Sequence, residues 1–209
     1  ILMKRLAERG IETKIYFPPV HLQPYYRTLG FKEDLLPIKW FDASGPSLRW
    51  ESGGVRGLER VNEFHRIEIV WLGEVEQVIQ IKDELLEKYR KVLEEVLELE
   101  WRMAWVTPWY MAQAGQLGIE DEKMVKGTID FEAWLPFRGD RETSEWLEFQ
   151  NISVHGDKFT KSFGIKHQKG KELWTGCSGI GLERWCIVFL AQKGFNYDEW
   201  PEKFKKYYR

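Results

Sequence analysis

Two segments far apart in the chain constrain its fold more than any other feature. The run from Arg49 to Trp71, RWESGGVRGLERVNEFHRIEIVW, sets a glycine-rich loop between two β-rich stretches. The run from Cys177 to Trp185, CSGIGLERW, leads through Gly179 and Gly181 from strand into helix. Ser52-Gly53-Gly54 and Gly57 suit a turn with unusual backbone angles, so the first run predicts an antiparallel hairpin. Each segment carries an arginine at the edge of its element, Arg49 in the first and Arg184 in the second. Arginine binds phosphate oxygens bidentately and does not lose its charge. Two such forks on separate elements suit a polyphosphate bent between them, which points to an enzyme that uses a nucleotide.

The remaining pattern predicts an α+β chain. From Glu74 to Glu100, apolar residues including Val75, Val78, Ile79, Leu85, Leu86, Tyr89 and Leu93 recur at helical spacing, and the intervening charges read as a solvated face. Strands are expected around 127–136, 146–155 and 172–176, then a helix from Leu182 to Lys193. Strands joined mostly by short connections imply an antiparallel sheet flanked by helices. Residues 1–10 read as the end of an amphipathic helix, 11–17 as a strand, and 18–39 as a connection rich in proline and aromatic residues. Composition changes near Trp40, so a boundary is expected between Pro37 and Phe41, dividing the chain into 1–38 and 39–209. The chain opens at Ile1 inside a helical pattern and reads as a piece of a longer product.

Charge and cysteine content narrow the function classes. A formal net charge of -2 over 209 residues argues against a general nucleic-acid coat. Lys158, Lys161, Lys166, Lys169 and Lys171 form a local basic group that reads as a solvated hairpin. Two cysteines, Cys177 and Cys186, exclude a disulfide framework and fit a reducing cytoplasm. Cys186, inside the last predicted helix, is expected to pack in the core. His65 and His155 read as hydrogen-bonded structural residues. No apolar stretch reaches membrane-spanning length, and no secretory pattern appears.

Arg49-Trp50-Glu51, the loop, and Glu63-Phe64-His65-Arg66-Ile67-Glu68 resemble motif 2 of class II aminoacyl-tRNA synthetases, and GLERVNEFHRIE resembles its seryl version. GIGLERW resembles motif 3. TIDFEAWLPF and EWLEFQNISVHGDKF stand between them in the family's order. SGGVRGLERVNEFHRIEIVW, TPWYMAQ and TGCSGIGLERW resemble the zinc-dependent seryl type of methanogenic archaea, from about residue 40 onward. The resemblance implies a class II catalytic fold, incomplete at its N-terminal side, that activates serine with ATP and Mg²⁺ and passes it to tRNA(Ser). It implies that Arg49 holds the α-phosphate, Glu51 sits beside the adenine or amino acid, and Phe64 stacks on adenine. It further implies that Arg184 takes the γ-phosphate, that Arg60 and Arg66 add positive charge, and that Glu148 and Asn151 stand near the Mg²⁺ and phosphates. By the same resemblance Trp109, Gln113, Asn151 and Ser153 are expected to form the serine pocket, and the complete enzyme is expected to be a homodimer.

In that type, Glu68 and Cys177 correspond to two of three zinc ligands, whose open position takes the amino group of serine. The third ligand is an upstream cysteine. This chain has no cysteine before Cys177, and His21 is the histidine in that region. ILMKRLAERGIETKIYFPPVHLQPYYRTLG resembles instead the C-terminal segment of DegT-type sugar aminotransferases, without the lysine that carries their cofactor. Two rival readings follow: an amino acid:carrier-protein ligase using the same adenylation site, and an inactive remnant that only binds nucleotide.

Overall fold

A computed structural model describes residues 35–43, 46–48, 54–106 and 125–208. The chain divides into two compact units, Ile1–Leu35 and Leu36–Arg209. In the second, strands β1 (Ile38–Asp42), β2 (Pro46–Leu48), β3 (Glu63–Glu74), β4 (Trp101–Val106), β5 (Gly127–Ala133), β6 (Leu147–Gly156) and β7 (Leu173–Gly181) form an antiparallel sheet. Its order is β1-β3-β7-β6-β5-β4, with β2 paired to β3. Helices α1 (Val75–Lys91) and α3 (Leu182–Lys193) cover one face; the short helices are α2 (Lys158–Ser162) and α4 (Glu202–Lys205). The expected helix-flanked antiparallel sheet is thus observed.

Strand alternation decides which residues meet the helices. Ile69 and Trp71 of β3, Ile152 and Val154 of β6, and Ile129 and Phe131 of β5 belong to one core with Val78, Ile81, Tyr89 and Leu93 of the α1 segment. Phe131 sits at its centre, edge-on to Tyr89 at 5.7 Å and tilted on Trp101 at 5.1 Å. The Tyr89 hydroxyl donates to Ser178 Oγ at 2.9 Å, which donates to the Asn151 carbonyl at 2.8 Å. That chain satisfies the buried hydroxyls between helix and sheet.

Three expectations needed correction. The helix from Glu74 ends sooner: α1 passes into a π-helical turn, Val92–Val96, and Glu98 then takes a left-handed backbone with φ 53°. The residues released allow β4, a strand the periodicity did not single out. Strand β7 runs five residues beyond Gly176, because its glycines are places where neighbouring side chains lie across the backbone. A Cβ on Gly176 would stand 2.3 Å from the indole of Trp71, its cross-strand partner. Finally, Cys186 is exposed, not in the core, since α3 turns Val188 and Phe189 inward instead.

Candidate functional site

On the sheet face opposite the helices, alternate residues line a cleft of about 590 Å³. The register builds it in rows. Asp42, Glu68, Gly179, Asn151 and Asp130 stand side by side across five strands. Cys177, Ser153 and Thr128 form the next row, where Ser153 Oγ lies 2.7 Å from Thr128 Oγ1. Gly179 gives this floor its depth: a Cβ there would stand 3.3 Å from Glu68 Oε2 and 3.7 Å from Asn151 Oδ1.

Glu148 and Asn151, three residues apart, belong on opposite faces of a regular strand. The β5–β6 register, however, pairs Glu148 with Glu132 and Asn151 with Asp130, with a shift between Phe131 and Glu132. One extra residue on β6 therefore returns both side chains to the cleft face. A second irregularity, between Val154 and Gly156, occurs where His155 enters the cleft wall.

Arg184, in the first turn of α3, is fixed from two directions. Its Nε donates to the Glu59 carbonyl at 2.9 Å, and its Nη1 donates to the Glu148 carbonyl at 2.8 Å and to Glu148 Oε2 at 2.9 Å. Glu59 lies in a turn closed by reciprocal backbone bonds between Arg56 and Arg60. Its carboxylate is buried and accepts from Arg138 Nη2, while Arg138 Nη1 donates to the Glu145 carbonyl at 2.9 Å. Arg138 thus ties the loop that presents Arg60 to the segment before β6, and Arg184 bonds the same loop from α3. His65 adds a second tie: its backbone N–H and Nδ1 meet the Glu183 carboxylate at 2.9 and 2.8 Å.

Charges of both signs meet in the cleft. Arg60, Arg66 and Arg184 line it together with Glu68, Asp130 and Glu148, and Arg184 Nη1 lies 2.9 Å from Glu148 Oε2. Burial pushes the Asp130 carboxyl up to about 7, helped by the charges of Glu148 and Glu132 and opposed by Arg184. Burial also raises Glu68, against the pull of Arg66 at 3.5 Å and a hydrogen bond from Cys177. The Cys177 thiol is pushed up to about 12 by burial and by the Glu68 charge. His155 falls to about 4 through burial and the nearby Lys158 charge; its Nδ1 lies 3.0 Å from Thr175 Oγ1 and its Nε2 3.5 Å from Cys177 Sγ.

The structure therefore brings nine expected site residues to one cleft: Arg60, Phe64, Arg66, Glu68, Glu148, Asn151, Ser153, Cys177 and Arg184. Arg49, Glu51, Trp109, Gln113 and His21 lie outside the described residues. Glu68 and Cys177 touch as two zinc donors would, yet among the described residues no group of three His, Cys, Asp or Glu could hold a metal ion. Those residues alone do not make a zinc site. Sequence reasoning missed Glu59, Arg138 and Asp130. Asp130 carried a signal, because TIDFEA alternates and sets it on the polar side of its strand. Arg138 carried none, since 79 residues separate it from Glu59.

Residues 8–193 match the tRNA synthetase class II core domain family (G, H, P, S and T). The chain is 57% identical over 173 residues to a type-2 serine–tRNA ligase of Methanothrix thermoacetophila, covering 83% of this chain and 33% of that protein. A type-2 serine–tRNA ligase of Methanopyrus kandleri is 43% identical over 205 residues, covering 94% of this chain and 38% of that one. The chain thus spans between a third and two-fifths of the length of these curated relatives. The crystal structure of A. aeolicus tRNASec in complex with M. kandleri SerRS superposes with a TM-score of 0.73 at 36% identity, covering 97% of this chain and 42% of that chain. Among the described residues, no helix is long and apolar enough to cross a membrane.

Proposed function

The chain belongs to the class II tRNA synthetase core domain family, and from that premise we propose that its cleft activates serine with ATP, forming seryl-adenylate for transfer to tRNA(Ser). One observation carries the proposal. Residues that a phosphate-binding and serine-binding role requires, drawn from β3, β6, β7 and α3, converge on one cleft that three arginines line beside carboxylates. The chemistry is positional: the serine carboxylate, already ionised, attacks the α-phosphate as the bond to the β-phosphate breaks and pyrophosphate leaves, so no general base is needed. Arg60, Arg66 and Arg184, with Mg²⁺, neutralise charge developing on the phosphates. Glu68 and Asp130 face the amino end, Asn151 and Ser153 the side chain, and Phe64 the adenine. Arg49, Glu51, Trp109 and Gln113 complete the same roles.

The acceptor, the cytoplasmic setting and a homodimeric complete enzyme follow from the same reading. Zinc is a separate proposal: Glu68 and Cys177 are two of its donors, and the metal would supply an open position for the serine amino group. Metal content of the wild type and of Cys177→Ser tests it, with equal content overturning it. We also propose that residues 1–38 stand outside the catalytic unit, as an aminotransferase-like segment. The compact unit starting at Leu36 supports that division, and the family match from residue 8 opposes it. A chain lacking 1–35 that keeps ATP affinity would favour the division, and loss of affinity would reject it.

Calorimetry with ATP and Mg²⁺ tests the nucleotide part of the reading. Binding by the wild type that Arg184→Ala weakens at least tenfold is expected. Equal binding by both proteins would remove Arg184 from the phosphate site.

A further inference from the structure

Thr128 of β5 and Ser153 of β6 are direct cross-strand partners, and both line the cleft. Their row continues to Cys177 of β7 on one side and Val106 of β4 on the other, and these residues line the cleft too. Thr128 Oγ1 and Ser153 Oγ lie 2.7 Å apart, and each residue is 8% exposed. Among the described residues, neither hydroxyl has another hydrogen-bond partner. Two hydroxyls carry two protons, and the bond between them uses one. One proton and several lone pairs are therefore left for a molecule that enters the cleft. The branched stem of threonine is stiff at χ1, and serine has no such branch. Thr128 thus fixes the direction in which Ser153 offers its remaining capacity.

We propose that Thr128 is a positioning residue for amino-acid selection, orienting the Ser153 hydroxyl so that the pair recognises a side-chain hydroxyl and rejects alanine. The proposal rests on the reading of the cleft as a serine adenylation site and adds a residue to it. A hydroxyl on the ligand accepts the pair's spare proton and donates its own to a lone pair. A methyl group does neither, and leaves polar atoms unpaired in a place that little water reaches. Sites that hydrogen-bond a substrate hydroxyl discriminate strongly for this reason, whereas apolar pockets do not. A Thr–Ser pair also ties two strands with no ligand present. Loss of a tie alone weakens every ligand alike, whereas loss of selection does not.

The test is calorimetry with stable sulfamoyl mimics of seryl- and alanyl-adenylate, which need no turnover, and with adenosine sulfamate, which lacks the amino acid. The wild type should bind the seryl mimic about a hundredfold tighter than the alanyl one. Thr128→Val should cut that preference about tenfold, the scale of one buried hydrogen bond, with alanyl affinity unchanged. Thr128→Ala should cut it similarly, so the comparison stands if one variant fails to fold. Thr128→Ser, which keeps the hydroxyl, should restore most of the preference. A preference unchanged in the valine and alanine variants, equal losses for both mimics, or no preference in the wild type would each overturn the proposal and leave the adenylation reading in place. Aminoacyl mimics that bind no tighter than adenosine sulfamate would remove that reading, and the role of Thr128 with it.

Discussion

The two faces of the central sheet use alternate residues of the same strands and are built on opposite principles. Towards α1 and α3, strand residues are apolar and closely packed, as at Trp71, Phe131, Ile152 and Val154, all nearly inaccessible. Towards the cleft, the same strands present Glu68, Asp130, Asn151, Ser153 and Cys177. Titratable groups on this second face have shifted pKa values because they are partly buried beside one another. The comparison teaches that the helix-covered face supplies the stability that a face of partly buried charges consumes. Substitutions should separate accordingly: one face should control unfolding and the other binding.

The largest effect should come from Trp71→Ala. Removing a fully buried indole should cost about 3–5 kcal/mol, read as a lower urea midpoint. ATP affinity in the protein that remains folded should be unchanged. A loss of affinity without a loss of stability would break the division between faces.

Arg138→Met tests the link between the cleft and its support. It leaves the Glu59 carboxylate buried without its main partner, which should cost about 3 kcal/mol. Because Glu59 also receives Arg184 through its carbonyl, ATP affinity should fall along with stability. Arg138→Lys should recover part of both. Lost stability with unaltered ATP affinity would show that the loop does not depend on this bolt.

A smaller effect sharpens the electrostatic side. The Asp130 pKa rises on folding from 3.8 to about 7, so its contribution is full below the unfolded value and declines as pH rises towards 7. His155 has the opposite sense: its pKa falls from 6.5 to about 4, so its contribution is full above 6.5 and declines as pH falls towards 4. Asp130→Asn should therefore gain on the wild type in thermal midpoint between pH 4 and 7, with the gap constant above 7. A gap that does not grow over that window would mean Asp130 titrates normally.

The smallest expected effect lies at Gln150, a buried residue that also lines the cleft. It is 1% exposed, and neither polar atom of its amide has a partner. Gln150→Leu should raise stability by about 1 kcal/mol, because unmade buried hydrogen bonds are removed. Destabilisation would indicate that the amide is satisfied in solution.

The sequence made the helix-covered face more legible than the cleft. Apolar spacing located α1, and the glycines before Leu182 located the start of α3, because burial imposes a period on the chain. The period failed at Glu98, where a single left-handed residue ends the helical run and frees β4. Motif resemblance identified the cleft's arginines, Glu68 and Cys177, but could not supply their supports. Arg138 becomes relevant only when folding brings it to Glu59. Likewise, Glu148 and Asn151 share a face only because β6 gains an extra residue, which alternation alone would have ruled out.

The measurement that tests the central claim most directly is serine-dependent ATP–pyrophosphate exchange, for the wild type and for Arg184→Ala. The account predicts exchange that requires serine and falls by about two to three orders of magnitude in Arg184→Ala, the usual cost of losing a charge-stabilising group. Exchange of equal rate in both proteins, or none from folded wild type that binds ATP, would contradict it.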